Sequence, residues 1–159
     1  MRFLKNTAVA LALAFAIASL SSPARASHCS LAASAGDYGF TLNGILVLPS
    51  GPVPIAGVGR ATVNPDGTVS GTEARNVGGE FANETFNGTF AINPDCTGTL
   101  TLNFFEAGQL VRVSVLSTVM DDNNQEFRMV QQSLTLPNGA SVPAILTGEV
   151  RRITTVEND

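Results

Sequence analysis

The chain has 159 residues with nine Lys and Arg against thirteen Asp and Glu. Beyond its first 26 residues the basic side chains are six arginines, Arg60, Arg75, Arg112, Arg128, Arg151 and Arg152, so residues 27–159 carry a net charge near minus seven. That balance excludes nucleic acid and anionic membrane as expected partners, since both require a basic face, and the length suits a single domain with a core of its own.

Residues 1–26 read as a secretory signal peptide: Arg2 and Lys5 precede an apolar run from Ala8 to Ala18, and "SSPARA" closes on the small-x-small pattern Ala24-Arg25-Ala26. The run is too short to span a bilayer, and no later segment approaches that length, so no membrane insertion is expected. The mature chain is expected to begin after Ala26 and to reside in a secreted or periplasmic compartment. Cys29 follows closely, but His28 before it is not the small residue that a lipidation site requires.

From there the chain alternates apolar and polar residues between short turn signals, with no stretch of helical spacing. Eight strands are expected: Tyr38 to Leu48, Ile55 to Val63, Thr68 to Val77, Glu80 to Ile92, Cys96 to Glu106, Leu110 to Met120, Glu126 to Leu136 and Ala144 to Ile153. The breaks are "PSGPVP", "NPDG", "GG", "NPDC", "AGQ", "DDNN" and "PNGASVP". In Asn64-Pro65-Asp66-Gly67 the proline presets φ and the glycine accepts the positive φ that closes a hairpin. Cys96 replaces that glycine in the second copy, so its turn is expected to differ in detail.

Short connections make sequential strands antiparallel neighbours, and an even number lets the first strand pair with the last. The fold class is therefore all-β, an eight-stranded antiparallel up-and-down barrel, with a two-sheet sandwich as the alternative. Turns then alternate between the ends, which brings Cys29 and Cys96 to one rim and predicts a disulfide between them. The opposite end, with "PSGPVP" and "PNGASVP", becomes the mouth.

Alternation also assigns faces. The core is expected to receive Tyr38, Phe40 and Leu42, Phe86, Phe90 and Ile92, Leu100, Leu102 and Phe104, and in the sixth strand Val111, Val113, Val115 and Val119. The same registers carry polar groups inward: Glu73 and Arg75 with Val69 and Val77, Glu84 with Phe86, and Arg128 and Gln132 with Val130 and Leu134. Charges inside a barrel are costly unless paired or hydrated, so such a cluster near a mouth would orient a ligand or exchange a proton. The alternative is that a bulge shifts the register and leaves these side chains in water. The candidate ligand-binding set is Tyr38, Phe40, Glu73, Arg75, Glu84, Phe86, Phe104, Arg128 and Gln132.

No other chemistry assembles. His28 is the single histidine, no His/Cys cluster would hold zinc, and no nucleophile triad or phosphate loop is present. "DDNNQE" lacks EF-hand spacing, and the sequons at Asn83 and Asn87 read as strand residues. No metal and no cofactor is expected.

The stretches "GDYGF", "PDGTVSG" and "NPDCTGTLTL" resemble a pattern found in small secreted bacterial proteins of unassigned function. At the level of architecture the chain is similar to calycins and to the allene-oxide-cyclase and dirigent barrels. That resemblance implies a lumen for small hydrophobic molecules, and it transfers no catalytic residue. Three functions follow in order: a barrel binding a small apolar molecule, a cofactor-free cyclase or isomerase using Glu84 or Tyr38, and an interaction module with a filled core.

Overall fold

In the computed structural model, which describes residues 29–121 and 124–154, the strands are β1 (Gly36–Leu48), β2 (Gly51–Val63), β3 (Thr68–Val77), β4 (Glu80–Ile92), β5 (Thr97–Glu106), β6 (Gln109–Asp121), β7 (Glu126–Thr135) and β8 (Ala144–Arg152). They form a closed barrel in serial order, every neighbouring pair antiparallel, with β1 pairing with β8 from Tyr38↔Arg152 to Leu46↔Ala144. Closure removes the free edges of an open sheet. The barrel expectation holds and the sandwich is excluded. The expected signal peptide at residues 1–26 and His28 lie outside the described residues, as does part of the "DDNN" turn.

β2 begins four residues earlier than the sequence implied, taking in Pro52 and Pro54. Both lie where β2 pairs with β1 alone, since β3 reaches only as far as Ile55↔Val77. The carbonyl of Pro54 faces the β3 side, where it accepts from Gly78 N–H at 2.9 Å. The missing proline N–H groups therefore cost no ladder bond.

The two Asn-Pro-Asp turns are the same turn. Gly67 has φ 85° and Cys96 φ 70°. Asn64 N–H donates to Thr68 O at 2.9 Å and Asn93 N–H to Thr97 O at 2.8 Å, while Asp66 and Asp95 each accept from the following threonine through Oδ1. The expected difference at Cys96 is thus corrected: three side-chain and backbone bonds hold the turn, and the cysteine takes the left-handed conformation that they impose. Cys96 is bonded to Cys29, with Cα atoms 5.1 Å apart.

Between these rims the lumen is lined by rings that lie on glycines. Phe40 faces its cross-strand partner Gly59, and Phe86 faces Gly71. A Cβ added at either glycine would come within 2.4 Å of the ring, so each large residue fills the space that its small partner leaves. Outside, Thr41, Asn43, Thr72, Asn87 and Thr99 are exposed. Large apolar side chains are exposed beside them, among them Val58, Phe81, Val119, Val130 and Ile145, and no helix among the described residues is long and apolar enough to cross a membrane.

Two bulges decide which side chains enter the lumen. Opposite Phe104 and Phe105 the β6 register jumps from Arg112 to Leu110, making Val111 an extra residue; opposite Val115 and Leu116 the β7 register jumps from Ser133 to Gln131, making Gln132 extra. A bulge reverses the face of everything beyond it.

Candidate functional site

The rim that carries the disulfide is sealed. Ser30 caps a single helical turn, α1 (Leu31–Ser34), which is followed directly by β1. The buried Tyr38 hydroxyl donates to Ser34 O at 2.6 Å and accepts from Arg152 Nη2 at 2.7 Å. Arg152 also donates to Ala35 O at 2.8 Å and Ala33 O at 3.0 Å, tying the last strand to the N-terminal segment. Burial raises the Tyr38 phenol above its usual range despite this guanidinium. Its hydroxyl is committed to structure, which removes it as a proton carrier.

Toward the other end the lumen is crossed by a network of charges. Glu73 on β3 and Glu84 on β4 are direct cross-strand partners, and both side chains are 0% exposed. Arg112 bridges them: Nη2 donates to Glu73 Oε2 at 2.8 Å, and Nη1 donates to Glu84 Oε2. Arg75 Nε holds the other Glu84 oxygen at 2.6 Å and reaches Glu106 at 3.6 Å. The Arg112 guanidinium lies 3.7 Å from the centroid of Phe104, a cation–π contact that fixes its plane. Glu73 Oε1 is buried without a hydrogen-bond partner. Burial, ahead of the opposing pull of Arg112, pushes the Glu73 carboxyl above its ordinary 4.5.

Space for that carboxylate comes from Gly57, where a Cβ would stand 2.4 Å from Glu73 Oε1.

Between the sealed rim and the charge network lies a cavity of about 70 Å³, walled by Phe40, Phe86, Phe90, Leu102, Phe104 and Phe127 among others. Aromatic contacts run through its wall from Tyr38 to Phe127 to Phe90, and from Phe40 to Phe86 to Phe104, with centroids 5.1–5.8 Å apart. The polar residues along its wall are Arg112, Ser114 and Thr118 of β6 and Gln131 of β7, and the surface they turn to it is almost wholly carbon.

Of the candidate set, Tyr38, Phe40, Glu73, Arg75, Glu84, Phe86 and Phe104 face the lumen. Arg128 and Gln132 do not. The Arg128 side chain is 64% exposed and pairs with Asp121 and Glu126 on the outer surface, and Gln132 is exposed. The extra residue at Gln132 separates Leu134, which does face inward, from the Phe127, Met129 and Gln131 register that precedes it.

The sixth strand requires the larger correction. Leu100, Leu102 and Phe104 pair with Leu116, Ser114 and Arg112, so the even-numbered residues of β6 enter the lumen. Val119 is exposed and Val113 and Val115 lie on the outer face, whereas Val111 packs partly against the core from its bulge. Arg112, Ser114 and Thr118 were missed because a polar inner face and a valine-rich outer face look, in sequence, like the reverse. The inward Leu116 and Met120 on the same alternation were the available signal.

No family model matches the chain, and no curated protein matches it. Solved structures do. The chain is similar to EF1p2_mFAP2b bound to DFHBI, at 14% identity and a TM-score of 0.53 over 79% of this chain and 100% of that one. It is similar also to the redesigned β barrel mFAP1 bound to DFHBI, at 16% identity and 0.49 over 76% and 99%. A third is the S-type phycobiliprotein lyase CPES from Guillardia theta, at 8% identity and 0.44 over 79% and 92%. At 14% identity the likeness to EF1p2_mFAP2b bears on the barrel fold and nothing finer.

Proposed function

We propose that the barrel is a binding protein for a small, largely apolar molecule held in its lumen, in an exported chain whose signal peptide is residues 1–26. The observation that carries this reading is the aromatic-walled cavity closed at one rim by the disulfide and α1 and bordered toward the other by a guanidinium on Phe104. A mostly apolar pocket with a few oriented polar groups is the usual form of a small-molecule site. Arg112 supplies the polar end, Glu73 and Glu84 hold it in place, and Phe40, Phe86 and Phe104 supply the apolar contact. The structure of EF1p2_mFAP2b with DFHBI supports the reading by showing a similar barrel with a small ligand. The disulfide supports export, because such bonds persist in oxidising compartments.

The calycin-like and cyclase-like readings stand behind this one. Both Glu84 oxygens accept from arginines, and Arg112 rather than either carboxylate lines the cavity, so proton transfer to a lumenal substrate has no group at hand. A wholly filled core is disfavoured by the cavity itself.

Native mass spectrometry of the protein purified from its own source tests the proposal, with xenon uptake as an independent arm, since a dry apolar cavity takes up xenon. A bound small molecule, or xenon binding that Ala61→Leu abolishes by filling the cavity wall, is the expected result. An empty protein that takes up no xenon would overturn it.

A further inference from the structure

The outer face of the barrel is not uniformly polar. Toward the β1–β2 turn, Ile145, Ile45 and Pro54 sit side by side on β8, β1 and β2, and Val47 with Pro52 forms the next row. Farther from that turn, Ala56 and Val58 of β2 point outward by the same alternation, and Phe81 on β4 extends the surface beyond Asn76 of β3. Ile145 is 63% exposed and Phe81 65%, and Val47, Pro52, Pro54, Ala56 and Val58 are exposed as well. Strand spacing makes this an area of roughly 400 Å², the size of the patches that mark interaction sites on monomers. Elsewhere on the surface Val119 stands directly across from Arg128, so charge interrupts the apolar side chains there.

Two features say what covers it. The first is charge. Residues 27–159 carry a net charge near minus seven, so two copies repel wherever acidic side chains meet. The residues in register between these apolar groups are Thr41, Asn43 and Asn76, none of them charged, and Glu80 and Glu149 lie at the margin. A charged partner would find nothing to pair with here, whereas a second copy of this acidic chain meets no repulsion. The second feature is shape. Ala74 lies in register between Val58 and Asn83, and being smaller than both it leaves an open hollow of about 360 Å³, walled by them with Thr72 and Thr85. Phe81 stands on the same face of β4 two residues from Asn83, roughly 7 Å away. A knob beside a hollow is self-complementary: a two-fold axis running between them seats each Phe81 in the other copy's hollow.

We infer that this face is the interface of a homodimer, with Phe81 of each copy seated over Ala74 of the other. The barrel is closed, so two copies associate face to face and not by extending a sheet edge. The apolar rows supply the core of the contact, and the asparagines and threonines around them supply its polar rim. The patch is about half of what each partner gives to a standard interface, which fits a reversible dimer of micromolar strength. The inference stands apart from lumenal binding, since every residue it uses lies on the outer face.

Sedimentation equilibrium of the purified protein over about 1–500 µM, a range that brackets micromolar affinity, tests it, with urea denaturation to confirm that each variant folds. Wild type is expected to pass from one copy to two across that range, and more readily with added salt, which screens the repulsion between acidic chains. Phe81→Asp should weaken the dimer at least about thirtyfold, as for a central interface residue, and Ala74→Lys should do so by filling the hollow. An equimolar mixture of these two variants should dimerise again, because one seat then pairs Asp with Lys and the other keeps Phe81 over Ala74. Ile145→Asp, at an exposed position away from the hollow, is an independent variant that should also weaken the dimer. A wild type monomeric at every concentration, a dimer that tolerates Phe81→Asp and Ile145→Asp, or a mixture that stays monomeric while wild type dimerises would each overturn the inference. So would a monomer that co-sediments with phosphatidylcholine vesicles and is released by Phe81→Asp, which would assign the face to a lipid surface.

Discussion

Glu73 and Glu84 face each other directly across β3 and β4, and neither side chain touches water. Like charges at directly opposed strand positions repel, and a low-dielectric interior magnifies that repulsion. What makes the arrangement tenable is Arg112, arriving from β6 by way of the bulge at Val111 to place one nitrogen on each carboxylate. One guanidinium thus fastens β6 to the β3–β4 hairpin. Such a cluster is fragile to loss of a single member even where the whole adds little net stability.

Arg112→Met should accordingly cost roughly 3–5 kcal/mol in urea denaturation at pH 7, because two buried carboxylates are left with Arg75 alone. The deficit should shrink on acidification as the freed Glu73 carboxylate, already raised by burial, takes up a proton. A cost under 1 kcal/mol at pH 7 would mean that the carboxylates are hydrated and the lumen wet.

The raised Glu73 pKa has a definite sign in stability. Between its ordinary 4.5 and its higher value in the fold, the folded state holds a proton that the unfolded chain has released. Stability contributed by this group therefore falls as pH rises through that window, by at most about 1.4 kcal/mol per pH unit for one proton. Glu73→Gln should flatten that part of the curve. Denaturation midpoints measured from pH 4 to 8 in both proteins check it, and parallel curves would show that Glu73 titrates normally.

Gly57→Ala places a methyl 2.4 Å from Glu73 Oε1 and 3.2 Å from Leu42 Cγ. The carboxylate cannot swing aside without leaving Arg112, so a loss of about 1–3 kcal/mol is expected, the usual range for overpacking. In a Glu73→Ala background the same substitution should cost much less, and that coupling is the measurement to make.

Replacing both cysteines by serine should destabilise the barrel by about 2–4 kcal/mol, the range for a bridge of this kind, which here joins residues 67 apart in sequence. Because residue 96 has φ 70°, the Cys29→Ser, Cys96→Gly variant should recover about 1 kcal/mol relative to the double serine variant. Equal stabilities would show that the turn relaxes once the bridge is gone.

The amino-acid sequence by itself determined the eight strands, their serial pairing and the meeting of Cys29 with Cys96. Those follow from local rules: alternation within a strand, turn residues that fix φ, and connections too short for any but antiparallel neighbours. It also placed Glu73, Arg75 and Glu84 inward, because β3 and β4 pair without a shift. The tertiary structure decided the rest. The bulges at Val111 and Gln132 belong to pairs of strands and not to either strand's own pattern. They set Arg128 and Gln132 in solvent and bring Arg112, Ser114 and Thr118 into the lumen. A strand whose buried face carries polar groups reads, taken alone, as one turned to water; only the neighbours that close around β6 show which face is inside.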